Sequence, residues 1–180
     1  MIDTSKWTLE EMWNTVIDKQ ELGLKYHLEM IEIFALIDMK GYMEWQKDRY
    51  KDEMKTLVKT QIDFTKTFNK IHRSKDNKDS LIKNVFYTSN KYSPDNKRSI
   101  INEIFNIWAE WERSVNELYM ACIQWCIEHQ DENYLFFTDL LKEVKKEQRT
   151  IMYHYSKLED SKYNMSDILE WQEYIYNRFK

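Results

Sequence analysis

Residues 101–129 read INEIFNIWAEWERSVNELYMACIQWCIEH. Alternating steps of three and four residues through this stretch pick out Ile101, Phe105, Trp108, Glu112, Val115, Tyr119, Cys122, Cys126 and His129. That spacing draws one face of an α-helix, apolar but for the carboxylate near its middle. The stretch holds no Gly or Pro, and the whole chain of 180 residues has only 2 Gly and 1 Pro. Sandwiches and α/β folds need turn residues every ten positions or so, so long helices are what remains.

The same reading extends outward. Thr8 and Glu11 form a capping box that opens a first helix over 9–39, closed by Lys40-Gly41. Gly23 inside it marks a bend or a close backbone approach. A second helix is predicted over 42–71, and a polar stretch from Ser74 to Arg98 follows, with room for a short element between Ser80 and Tyr87. Ser99 and Glu103 open a third helix over 99–129, and Gln130-Asp131-Glu132-Asn133 turns the chain into a fourth over 134–158. A fifth, short helix is expected over 166–179. Short first and third turns make two antiparallel hairpins, and the long middle connection is able to travel the bundle's length. The expected fold is therefore all-α: a single domain over 1–180, a four-helix up-down bundle with one long crossover connection and a short C-terminal helix.

Composition narrows function. Hydrophobic residues are 42 % and charged residues 32 %, too apolar for a disordered chain. Net charge is −4, without the basic footprint of a nucleic-acid binder, so no nucleic acid is expected. No run approaches ~18 apolar residues and the start resembles no signal peptide, so no membrane and a cytoplasmic location are expected. Aromatics at 15 % suggest an interface as well as a core, which points to a homo-oligomer or a protein partner.

Polar residues interrupt the inward faces at one height. Helix 1 carries Gln20 and His27, helix 2 Glu53, helix 3 Glu112 and helix 4 Glu147 beside Gln148, each within about a turn of mid-helix. Carboxylates left unpaired in a dry core are costly, and a cation explains their convergence most simply. Carboxylates projecting from several helices are how bundles build di-iron or di-manganese sites. A hydrogen-bonded polar layer without metal is the other explanation. A strong dinuclear site carries Glu-x-x-His, and here Glu53 is followed by Thr56 and Glu147 by Thr150.

Several segments resemble ferritins. Trp111-Glu112-Arg113-Ser114-Val115-Asn116-Glu117-Leu118 is similar to the third-helix ferritin segment, and His129 to Phe137 to the turn that opens the fourth. Asp52-Glu53-Met54-Lys55-Thr56 resembles the second-helix Glu-x-x-His region, and Lys142 to Gln148 stands where ferritins carry a glutamate-rich stretch. The resemblance implies a ferritin-like bundle that handles iron, with iron as the metal. It places Glu53 and Glu112 at two ferroxidase glutamates and Glu147 at the fourth-helix glutamate if one residue is slipped. Gln20 stands at the first-helix glutamate, next to Glu21, and His27 at a tyrosine near the site. Thr56 stands at the ligand histidine. The implied metal set is Glu53, Glu112, Glu147, His27 and Gln20, in a working centre or a degenerate, non-catalytic one.

Cys122, Cys126 and His129 share a face and offer soft-metal ligands, or are plain core residues. His72 and His154 are isolated in the sequence and expected to be solvated or packed. The other functional class is a non-enzymatic interaction protein, such as an immunity-type or phage-encoded inhibitor, with Trp7, Trp45, Trp111, Trp125 and Trp171 as partner anchors.

Overall fold

Five helices follow one another: α1 (Leu9–Leu36), α2 (Lys40–Phe68), α3 (Lys97–Glu128), α4 (Tyr134–Asp160) and α5 (Met165–Phe179). The computed structural model describes residues 2–74, 80 and 97–179. Most of the connection from α2 to α3, with the expected element between Ser80 and Tyr87, lies outside the described residues. α1 starts on the predicted capping box. The Thr8 amide donates to Glu11 Oε2 at 2.8 Å, and the Glu11 amide donates to Thr8 Oγ1 at 3.2 Å. Such a cap contributes about 1 kcal/mol.

Three turns share one geometry that the scarcity of glycine had hidden. Asp38, Gln130 and Lys162 each take a left-handed φ near 52–55°. The amides one residue further on, of Met39, Asp131 and Tyr163, donate back to the carbonyls of Phe34, Cys126 and Leu158, each at 2.8 Å. This is the Schellman closure of a helix C-terminus, made without glycine. The predicted stop at Lys40-Gly41 is thus misplaced. α1 closes at Asp38, and Gly41 belongs to the first turn of α2. Likewise α3 begins at Lys97, so Ser99 lies inside the helix rather than capping it.

α1 packs along α2 and α3 along α4 as the two expected antiparallel hairpins, with α1 also meeting α3 and α5 lying on α2. Aromatic residues fill both ends of the bundle. At one end Trp13 stacks on Phe136 with centroids 4.4 Å apart, and Phe64 and Phe137 close around it. At the other, Tyr42, Trp45, Phe105 and Trp108 form a continuous cluster. The polar layer lies between these two plugs.

The tryptophans correct one expectation. Trp45, Trp111 and Trp125 are buried, not exposed anchors, and Trp7 and Trp171 are half-buried. Trp111 owes its burial to Gly23. A Cβ built on Gly23 would lie 2.6 Å from Trp111 Cη2 and closer still to Cζ2. The indole therefore rests on the bare backbone of α1. Helix propensity alone would make Gly23→Ala stabilising by about 1 kcal/mol, whereas overpacking a filled site costs about 1–3 kcal/mol. The expected result is a lower melting temperature in the native background and a higher one when Trp111 is also replaced by alanine. Paired thermal melts check that reversal of sign.

Candidate functional site

α2 supplies the centre of the polar layer. Arg49 and Glu53 lie four residues apart, so both side chains leave the same face of α2. One guanidinium nitrogen, Nη2, sits 3.5 Å from Glu53 Oε1 and in direct contact with Glu147 Oε2 of α4. The guanidinium thus bridges a carboxylate of its own hairpin and one of the opposite hairpin. Glu112 of α3 is almost completely buried and accepts a hydrogen bond from Trp108 Nε1 at 3.2 Å. Its carboxyl also lies within the field of Arg49, Glu53 and Glu147.

The flanking residues are tied to one another. His27 Nδ1 donates to Gln46 Oε1 at 2.7 Å, and Gln20 Nε2 donates to the Tyr119 hydroxyl at 3.1 Å. Both pairs are buried. Gln20 Oε1, Gln46 Nε2 and Arg49 Nε are buried without a hydrogen-bond partner among the described residues. All five residues singled out from the sequence thus fall in this one layer. Arg49, which organises it, was not among them.

Burial sets the protonation of the layer. It pushes the Glu112 carboxyl up to about 8, with repulsion from Glu53 and Glu147 adding to it. Glu53 rises to about 7 for the same first reason, assisted by Glu147 and opposed by Arg49. Glu147 is raised too, chiefly by burial, against the pull of Arg49. Burial holds His27 down to about 4, and the nearby Arg49 charge adds to the effect, so its imidazole is neutral at pH 7. Burial disfavours the Arg49 charge, but the carboxylates outweigh it and the guanidinium stays protonated.

Two other clusters of ligand-type side chains lie outside this layer. Cys122 and Cys126 are free, buried thiols pushed up to about 12 by desolvation. His129 is exposed, stacks on Trp125 and donates from Nδ1 to the Trp125 carbonyl at 2.8 Å. The three do not assemble into the soft-metal group that their spacing allowed. Conversely, His72 is packed against distant residues, as the sequence cannot display. Asp18, Glu21 and His72 bring ligand atoms within 4.8 Å of one another, the one such group among the described residues. His72 Nδ1 lies 2.6 Å from Asn14 Oδ1 and Nε2 3.0 Å from Asp18 Oδ1. Gln61 and Ser74 donate to Glu21 at 3.3 and 2.8 Å. With both ring nitrogens engaged by side chains, the group clasps the segment after α2 onto α1.

The arrangement of helices is matched closely among solved structures. A humanized archaeal ferritin superposes with a TM-score of 0.75 at 17 % identity, covering 98 % of this chain and 96 % of that one. The open-pore ferritin of Archaeoglobus fulgidus gives 0.70 at 16 % identity, covering 93 % and 94 %. The fold is that of a ferritin. A form of the Archaeoglobus fulgidus ferritin engineered to be closed matches equally, at 0.70 and 16 %, over 98 % and 97 %. No family model and no curated protein matches the chain in sequence.

The ferritin fold raises the question whether these residues would hold iron. A dinuclear centre sets two divalent ions about 3.5–4 Å apart among carboxylates and imidazole. Here the space between Glu53 and Glu147 is taken by a guanidinium, which is always charged and accepts nothing. At about 4 Å it would repel each unit of metal charge by about 4 kcal/mol in a partly buried setting. Thr56, where the ferritin resemblance implies a histidine, turns its hydroxyl back to the Asp52 carbonyl at 3.2 Å. Gln46 Nε2 and Arg49 Nε, buried in the layer without a hydrogen-bond partner among the described residues, are N–H donors, which suit water and not a cation. The layer does not fit a dinuclear iron centre.

Proposed function

We propose that this chain is a degenerate, non-catalytic ferritin-like protein, which assembles with copies of itself and handles iron without oxidising it at mid-bundle. The observation that carries the reading is the Arg49 guanidinium lodged between Glu53 and Glu147. A fold shared over nearly the whole length of ferritins supports a ferritin-type role. Support for self-assembly comes from α2, where Met54, Val58 and Ile62 repeat at four-residue spacing and are all exposed. Lys55, Lys59 and Lys66 flank that row, and Asp63 lies among them. A second copy of the chain is the occupant the fold suggests for it.

Ferrous iron in aerated buffer tests the reading. Oxidation is expected to proceed no faster than in buffer alone, and a variant carrying Glu53→Ala and Glu112→Ala is expected to give the same trace. Light scattering is expected to report a particle several times the 22.3 kDa chain that retains iron through gel filtration. A catalysed rate that disappears in the double variant refutes the non-catalytic half. A metal-free monomer refutes the other half and favours a helical protein-binding module.

A further inference from the structure

We propose that Asp18, Glu21 and His72 form a binding site for one divalent transition-metal ion of the Zn2+ type, which pins the start of the α2–α3 connection to α1. This site stands apart from the polar layer and owes nothing to iron handling. Asp18 and Glu21 are three residues apart, so both side chains leave the same face of α1. α2 ends at Asn69, whose left-handed φ of 52° turns the chain back. From there the contacts advance in step with α1. Lys70 pairs with Glu10, His72 meets Asn14 and Asp18, Ser74 donates to Glu21 and Ser80 to Glu29. The His72 rung is the dry one, its side chain only 4 % exposed.

The imidazole's orientation decides what the group is for. Nδ1 faces the Asn14 Oδ1 acceptor at 2.6 Å, so it donates and holds the ring proton. Nε2 then turns its lone pair to Asp18 Oδ1, 3.0 Å away, acceptor against acceptor. Positive charge must stand between them, as a second ring proton or as a metal ion. Glu21 favours the ion. A ring proton is satisfied by Asp18 alone, whereas Glu21 brings a second carboxylate oxygen within 4.8 Å of both other ligand atoms. Gln61 and Ser74 donate to that carboxylate as Asn14 accepts from the ring, the outer hydrogen bonds that hold metal ligands in place. Ligand atoms sharing one ion at bonds of about 2.1 Å stand about 3–4 Å apart. The His72–Asp18 pair already has that spacing, and half-buried Glu21 reaches it by a small rotation of its side chain. One imidazole with two carboxylates is a mixed nitrogen–oxygen set, which selects a borderline ion over Mg2+ or Ca2+. Three protein ligands leave the remaining position to water.

The test titrates the metal-stripped full chain with Co2+, the visible-absorbing stand-in for Zn2+, and then with Zn2+ itself. One Co2+ per chain is expected to give a visible band that equimolar Zn2+ bleaches and a large excess of Mg2+ or Ca2+ does not. Zn2+ is expected to raise the melting temperature. Glu21→Gln keeps the His72–Asp18 contact and is expected to weaken Co2+ binding by at least about 10-fold, no less than the loss of an outer hydrogen-bond partner. His72→Gln is expected to abolish the band, and His129→Ala, far along the chain beside Cys126, to leave it unchanged. If Glu21→Gln does not fold, His72→Gln decides. A full chain with neither band nor Zn2+ shift overturns the proposal and leaves His72 joined to Asp18 through a proton. So does a band that survives His72→Gln, that loses less than about 10-fold in Glu21→Gln, or that vanishes in His129→Ala. Displacement by Mg2+ or Ca2+ as readily as by Zn2+ rejects the choice of ion and the proposal with it. Failure on any of these counts leaves the reading of the mid-bundle layer intact, which iron oxidation by the unaltered chain tests separately.

Discussion

Stability is expected to fall by about 2–3 kcal/mol between pH 6.5 and 8.5, and Glu112→Gln to remove most of that fall. The layer's carboxyls have unusual pKa values, and the sign follows from them. Unfolded, Glu112 and Glu53 lose their protons near 4.5, whereas folded they hold them until about 8 and about 7. Above 4.5 the native state therefore binds more protons than the unfolded chain, and stability declines as pH rises through that window. His27 acts oppositely. Its folded value near 4 lies below the unfolded 6.5, so the unfolded chain binds the extra proton between those pH values and stability rises there. The two effects partly cancel from 4.5 to 6.5. Above 6.5 the decline is unopposed.

The magnitude follows at about 1.4 kcal/mol for each unit of pH over which one proton is held unequally. Glu112 accounts for about 2 kcal/mol of the window and Glu53 for about 1. The charges acting on Glu112 come from Glu53 and Arg49 on α2 and Glu147 on α4, while His27 on α1 and Tyr119 on α3 border the layer uncharged. Glu112→Gln keeps an acceptor for the Trp108 Nε1–H and removes the titration. Urea unfolding at pH 6.5 and 8.5 measures all of this. The variant should be more stable than the parent at pH 8.5. A parent whose stability is level or rises across the window, or a variant that keeps the slope, contradicts the burial of Glu112.

How much of this was legible in the sequence depends on the kind of information each feature needs. The scarcity of Gly and Pro and the capping box at Thr8 are local, and the four long helices followed from them. The height of Glu53, Glu112 and Glu147 needed only helix rise and hairpin pairing, so the layer was legible from the sequence. Arg49 could not. It stands one turn before Glu53, where a long cation on a helix is read as reaching water. The available signal was the need for a cation among three inward acids, which pointed to metal when the chain carried its own charge four residues from Glu53. Trp111 was misread for a related reason, since its burial depends on Gly23 of another helix. The first stop was misplaced because glycine is the usual left-handed residue, and α1 closes on Asp38 instead, whereas the turn opening at Gln130 lies where it was expected. His72 meets Asn14 and Asp18 across more than fifty positions of chain, beyond any local pattern.

Gly41→Ala is expected to be the most damaging single methyl in the protein, costing about 3 kcal/mol and loosening α5 first. Helix N-termini leave four amides without partners, and Met39 offers α2 no side-chain cap. Gln172 of α5 answers for it, its Oε1 accepting from the Gly41 amide at 3.0 Å. That bond requires α5 to lie against the α2 backbone. A Cβ on Gly41 would stand 2.7 Å from the Gln172 carbonyl carbon and closer to its oxygen. At Gly23 the obstacle is an indole that is able to tilt, whereas here it is main chain, so α5 must move as a unit. Moving it uncovers Ile168 and Ile175, both fully buried, at about 2 kcal/mol each if exposed outright. A partial shift is cheaper, which sets the figure near the upper end of overpacking costs. Hydrogen exchange should report the loss of protection in α5 well before α1 or α3, since α5 packs on α2 and touches the Trp45 plug through Trp171 and His154. Gln172→Ala removes the cap and leaves the contact, so about 1 kcal/mol is expected there. Equal loss of protection in all five helices would show instead that α5 and the bundle unfold as one.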